Sequence, residues 1–168
     1  VVVTLLMMPT LLQSLGVDRE DALAGNTLAI CATIAANLIA GMLADRFGAG
    51  RVLALCSALL GFAFWWFYAA AMHGGYSQWA YALAGSAVGL TALVPAIAVS
   101  GFPAPVRYSG LSFSYNVAYA IAGGLTPVLL SLAMKDDHAA PMHYIAGMSV
   151  LGVALGLFVA LRRHRLEA

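Results

Sequence analysis

The sequence predicts an all-α membrane protein of six transmembrane helices, and three observations carry that expectation. Of the 168 residues, 62% are hydrophobic and only 9% charged, with a mean hydropathy of +0.90, whereas a soluble domain is about 25% charged. Folded in water, such a chain would expose large aggregating apolar patches. Apolar runs close to the ~20 residues that a helix needs to cross a bilayer recur along its length. The charged residues collect in the short segments between those runs, GVDRED, DRFGAG, HGGYS, GFPAPVRYS and KDDHAAP, and connections this short make neighbouring helices antiparallel.

The first span, residues 1–15, is apolar but short. Fifteen helical residues rise about 22 Å, less than the ~30 Å of hydrocarbon. Pro9 is expected to kink this span. The chain begins at Val1 with no charged leader, so we expect that the helix is truncated and that the chain is a piece of a longer protein. Residues 22–44, 51–72, 78–100, 110–134 and 142–161 give five further spans, and the six together are expected to form one bundle over residues 1–168.

Basic residues orient the bundle. The second and fourth loops and the C-terminal tail hold Arg46, Arg51, Arg107, Arg162, Arg163 and Arg165, whereas the other side holds only Arg19 and Lys135. The positive-inside rule then places the C-terminus in the cytoplasm. The outer side carries Asp18, Glu20, Asp21, Asp136 and Asp137. Tyr76, Trp79, Tyr81 and Tyr68 fall near the outer ends of spans three and four, where aromatic rings with polar tips suit the interface. The crowd Phe62, Phe64, Trp65, Trp66 and Phe67 makes span three read as lipid-facing. Gly85 and Gly89, and Gly152 and Gly156, repeat at four and allow close helix contact.

Several function classes are excluded. A net charge of +1 without a basic cluster gives no nucleic-acid footprint. No acid, base or histidine lies deep in a span, and there is no HExxH, Ser/His/Asp or phosphate-binding glycine motif, so the chain is not read as an enzyme. His73, His138, His143 and His164 sit near the two surfaces as solvated residues, with no metal or other cofactor implied. Cys31 and Cys56 read as small buried residues.

What the spans do carry is thin polar stripes. Ser112, Asn116, Tyr119 and Gly123, spaced four, three and four apart, share one face of span five. Asn26, Thr33 and Asn37 share one face of span two that continues to Gly41. An unpaired amide in hydrocarbon costs several kcal/mol, so each stripe needs either a watery path or a helix–helix hydrogen bond. Thr4 and Thr91 stand near the middle of spans one and four, where each borders such a path or bonds back to its own helix. Tyr115 and Tyr119 offer ring faces that attract quaternary ammonium groups. The substrate-path candidates are therefore Thr4, Thr33, Asn37, Thr91, Tyr115, Asn116 and Tyr119. Gly123, Gly124 and Pro127 weaken span five locally, as a hinge or as a static packing kink.

Two stretches carry a family resemblance. Residues 102–127 (FPAPVRYSGLSFSYNVAYAIAGGLTP) resemble the tenth loop and eleventh helix of the major facilitator superfamily. Within it they are most like the metabolite:proton symporters, which include proline/betaine, α-ketoglutarate, citrate and shikimate carriers. Residues 41–51 (GMLADRFGAGR) resemble the superfamily's GxLaDRxGRR loop, with Gly41, Asp45, Arg46 and Gly48 matching. Ala49 and Gly50 stand where that loop usually has basic residues. Ser100 and Gly101 stand where relatives commonly have an acid, which leaves Arg107 without its usual partner.

The resemblance implies the C-terminal six-helix half of a secondary transporter in a bacterial inner membrane, facing an N-terminal half outside this chain. Its implied partners are protons and a small organic acid, zwitterion or osmolyte, carried by alternating access about a midplane site. It also implies a gating role for Asp45, Arg46, Gly48 and Arg107, with Asp45 meeting a basic group or a helix N-terminus when the cytoplasmic side is closed. The alternative is a six-helix membrane assembly subunit without transport of its own.

Overall fold

The computed structural model describes residues 1–99 and 101–164, with the side chains of residues 90, 91, 163 and 164 excepted. Every regular element among them is helical. A π-helical turn, Val2–Met7, runs into α1, Met8–Ser14, and Gly16 at φ +88° turns the chain toward α2, Arg19–Phe47. Then come α3, Ala49–Met72, and α4, Gln78–Ala87. A 3-10 stretch, Val88–Ala92, joins α4 to α5, Leu93–Val99. A 3-10 turn, Ala104–Val106, precedes α6, Arg107–Ala133, and α7, Ala140–His164, completes the set.

Four stretches are long and apolar enough to cross a membrane: Arg19–Phe47, Ala49–Met72, Ala104–Ala133 and Ala140–Arg162. At 1.5 Å per residue, α2 is about 43 Å long, so its ends pass beyond a ~30 Å hydrocarbon layer. Those ends are charged accordingly. Glu20 and Asp21 lie in the first turn of α2 and Arg46 in its last, each complementing the helix dipole. The segment Val2–Ser14 is shorter, and the apolar run 78–99 is divided by its 3-10 stretch.

Local chemistry explains the corners. Gly48 adopts φ +90° between α2 and α3 while its N–H donates to the Ala44 carbonyl at 2.9 Å, a left-handed backbone that glycine takes without steric cost. Ser77 caps α4 by accepting from the Ala80 N–H at 3.5 Å. Pro127 lies inside α6, which stays helical through it; the proline has no N–H to offer the Gly123 carbonyl one turn back.

α3 is the hub. Half of its most apolar window is buried, against 11–17% for the other three long stretches. Its Phe64, Phe67 and Tyr68 are buried among Met8, Leu12 and Tyr81. Phe67 stacks on Tyr81 with ring centroids 4.9 Å apart, and Phe64 stacks on Tyr68 at 5.8 Å. The expectation that span three faces lipid is therefore corrected: Phe62, Trp65 and Trp66 are exposed, but Phe64 and Phe67 fill the core. Tyr68 and Tyr81 are likewise fully buried and are not interface residues, whereas Trp79 is 76% exposed. A ring with an apolar body fills more core volume than an aliphatic side chain, and each hydroxyl finds a carbonyl.

Two glycine seams bring backbones together. Along α2 and α4, a Cβ on Gly85 would stand 2.7 Å from the Ala29 carbonyl oxygen, and one on Gly89 would stand 2.9 Å from the Ala36 carbonyl carbon. Along α3 and α7, a Cβ on Gly156 would stand 2.5 Å from the Ala54 nitrogen, and one on Gly50 would stand 2.6 Å from the Ala160 nitrogen. The small-residue repeats thus serve close approach. Gly41 has nothing within 4 Å of its Cβ position. We expect Gly85→Val to lower unfolding stability in detergent by roughly 1–3 kcal/mol through overpacking. Gly41→Ala should not lower it, and paired thermal melts check the contrast.

Candidate functional site

The polar side chains of the spans divide into two groups. The first is built into the contact between α2 and α4. Thr33 is buried, and its hydroxyl lies 2.8 Å from the Ala29 carbonyl of its own helix and 2.7 Å from the Gly85 carbonyl of α4. The bond to Gly85 exists because the glycine lets the backbones approach until a short hydroxyl reaches across. Asn37, one turn further along α2, is half-buried.

Nearer the N-terminal end of α2, the Tyr81 hydroxyl lies 2.9 Å from the Thr4 carbonyl and 2.6 Å from Asn26 Oδ1. One phenolic proton is shared between two acceptors, a three-centre bond that ties the π turn, α2 and α4 at one point. Thr4 is fully buried, and its own Oγ1 has no hydrogen-bond partner among the described residues. Thr91 lies in the 3-10 stretch Val88–Ala92; its side chain is outside the described residues. Beyond the helix ends, the Tyr76 hydroxyl donates to the Asp21 carbonyl at 3.0 Å, and Gln78 donates to the Asp21 carboxylate at 3.4 Å. Burial, and then the Asp21 charge, push the Tyr76 phenol above its ordinary pKa, so it stays a neutral donor.

The second group lies on α6. Asn116 donates through Nδ2 to the Ser112 carbonyl at 2.7 Å and to Ser112 Oγ at 3.3 Å. Tyr115 and Tyr119 stack with centroids 5.7 Å apart and planes inclined by 24°. All four side chains are exposed. The helix has no Asp, Glu, Lys, Arg or His between residues 108 and 134. Gly123 is half-buried and Gly124 exposed. A Cβ on Gly124 would meet nothing within 4 Å, so no close contact explains that glycine. Pro127 is half-buried. α6 touches the π turn and α5, and only lightly α7.

At the other loop, Asp45 and Arg46 are exposed, and Arg46 lies over the Phe47 ring, 5.4 Å from its centroid. Arg107 is exposed and donates through Nε to the Phe102 carbonyl at 3.3 Å. Ser100, the residue before that loop, lies outside the described residues, as do the side chains of Arg163 and His164 and all of Arg165. Among the described residues no group of three or more His, Cys, Asp or Glu side chains is placed to hold a metal.

The contacts above thus join Thr4 and Thr33 to the α2–α4 contact and leave Tyr115, Asn116 and Tyr119 on a separate, open helix. Sequence reasoning missed the role of Tyr81. The signal was present: Tyr81, Gly85 and Gly89 repeat at four and share a face, so the tyrosine belongs to the glycine seam.

No family model matches the chain, and no solved structure matches it. Among curated proteins it is similar to the inner membrane metabolite transport protein YhjE of Escherichia coli (strain K12), with 31% identity over 160 residues. The match covers 90% of this chain and 36% of that protein, so the chain spans little more than a third of the relative's length. That relative is a transport protein and not an enzyme, in agreement with the absence of catalytic motifs from the sequence.

We expect Tyr81→Phe to keep the Phe67 stack, lose the three-centre bond and lower unfolding stability by about 1–3 kcal/mol. Trp79→Phe at the exposed neighbouring position should change it by less than about 0.5 kcal/mol. Chemical or thermal unfolding in one detergent compares the two.

Proposed function

We propose that this chain is the C-terminal six-span half of a proton-coupled metabolite transporter of the major facilitator type, working by alternating access. In this reading Val2–Ser14 and residues 78–99 are two further spans beside the four long ones. The missing wall of the substrate path comes from sequence outside this chain. The C-terminus faces the cytoplasm, in a bacterial inner membrane.

The observation that carries the reading is α6. It is a 27-residue helix without ionised groups along its apolar length, and from Ser112 to Ala122 every side chain is exposed. A purely lipid-facing helix has no use for an amide and two phenols at mid-length, because each polar group costs several kcal/mol in hydrocarbon. A helix lining a path between two bundles has a use for all of them. Similarity over 160 residues to an inner membrane metabolite transport protein supports the same reading.

In this mechanism Asn116, Tyr115 and Tyr119 contact substrate from α6. The α2–α4 contact, in which Thr4, Thr33 and Tyr81 are buried, holds the bundle rigid while it rocks, and Asn37 and Thr91 border the path. Asp45, Arg46, Gly48 and Arg107 form the cytoplasmic gate, and Gly123, Gly124 and Pro127 supply bending in α6. The coupled proton is taken by a group outside this chain, since the spans here hold no ionisable residue for it.

Asn116→Leu in the complete protein should cut proton-gradient-driven uptake of its substrate at least tenfold while membrane abundance stays near normal. A screen of labelled organic acids, zwitterions and osmolytes, with and without a proton gradient, provides the substrate. Uptake by Asn116→Leu with unchanged kinetics would falsify the placement of α6 on the path.

A further inference from the structure

Where α2 ends and α3 begins, a shallow apolar recess opens on the surface, lined by Leu43, Phe47, Val52 and Leu55, with Arg51 at its edge. We propose that this recess and its arginines bind one anionic phospholipid, the headgroup phosphate on the guanidinium groups and the upper acyl chain against Phe47 and Leu55. The inference depends on the chain spanning a membrane and is independent of transport.

Depth comes first. α2 is about 43 Å long against ~30 Å of hydrocarbon, so its last turn and the Gly48 corner stand at headgroup level. The recess walls are apolar, and Phe47 and Leu55 are each more than half exposed. A water-filled dimple of that composition is unfavourable, whereas an acyl chain at that depth fills it. Charge comes second. Arg46 and Arg51 are both exposed, and among the described residues the carboxylate of Asp45 is the one acid of this corner. α7 adds Arg162 at the same end, two residues past Ala160, whose backbone meets Gly50. Among the described residues none of these three arginines is in an ion pair, the single such contact being His143 with Asp137 at the other end of the bundle.

Three guanidiniums against one carboxylate favour an anionic head over a zwitterionic one. Arg46 is already held over the Phe47 ring at 5.4 Å, which fixes the stem and leaves its N–H groups for phosphate. A soluble anion would use the charge and leave the apolar wall wet. An acidic peptide would need hydrogen-bonding partners along the wall, and the wall supplies none. A lipid uses both halves.

The test is native mass spectrometry of the complete protein released from detergent with equal amounts of phosphatidylglycerol and phosphatidylcholine of identical acyl chains. We expect one retained phosphatidylglycerol in roughly twenty-fivefold preference over phosphatidylcholine. Arg51→Gln and Arg46→Gln should each reduce the preference about fivefold, near the weight of one basic residue at a membrane surface, and the double variant should abolish it. Lys135→Gln, a charge lost at the opposite end, should leave it intact, and glycerophosphoglycerol, the headgroup without acyl chains, should fail to compete. No preference in the unaltered protein, an unchanged preference in the double variant, equal loss in Lys135→Gln, or full competition by the chainless headgroup each overturns the proposal. Circular dichroism of every variant confirms that lost retention is not lost folding.

Discussion

Everything in this bundle depends on how closely its helices approach. In a bilayer the lipid tails are as apolar as leucine, so association draws on van der Waals contact and a few interhelical hydrogen bonds. Both strengthen only when backbones come near. At Gly85 on α4 and Gly89 in the 3-10 stretch after it, and at Gly50 and Gly156 in the α3–α7 contact, there is no room for a Cβ. The polar bonds of the core follow from that proximity. Thr33 reaches the Gly85 carbonyl, and Ser149 reaches the Ser57 carbonyl, because a glycine beside each pair has let the backbones in.

The two seams also explain why α3 is the hub. It packs along α7 on one side and presents Phe64, Phe67 and Tyr68 to α1 and α4 on the other. Large rings and glycine seams solve different problems. The seams bring helix pairs together, and the rings fill the space between pairs that cannot approach so closely. Tyr81 belongs to both, since its ring stacks on Phe67 while its hydroxyl ties α2 to the π turn.

Four of the six expected spans, 22–44, 51–72, 110–134 and 142–161, coincide with long apolar helices, because apolar length and polar loops encode such helices directly. The loop DRFGAG was legible too, although its sequence did not single out Gly48 over Gly50 as the residue with positive φ. The facing of each helix was much less legible. A helix apolar nearly all round has almost no preferred side, so hydropathy cannot tell core from lipid. That is why Phe64 and Phe67 were expected outside and Tyr81 at the interface. Spacing of small residues gives the facing better than hydropathy does: Tyr81 shares its face with Gly85 and Gly89. The partner of Thr33 was invisible for another reason. It is a backbone carbonyl, which every residue has, and only packing selects Gly85.

The polar residues on α6 present the sharper contrast. Thr33, Ser149 and Tyr81 spend their hydroxyls inside seams, on carbonyls of other helices. Asn116 spends its amide hydrogens on Ser112, within its own turn, and Tyr115 and Tyr119 lean on one another. Local bonding of this kind satisfies part of each group and leaves all three side chains exposed. In hydrocarbon that residue of polarity costs several kcal/mol, comparable to the whole net stability of a small domain. Other exposed hydroxyls of the long helices, those of Thr27, Ser114 and Ser131, bond back to carbonyls of their own helix in the same way, but α6 alone adds an amide and two phenols to such a stripe. The contact between α6 and α7 is thin, and α6 otherwise meets the π turn and α5, so most of the helix is left open, its polar stripe included.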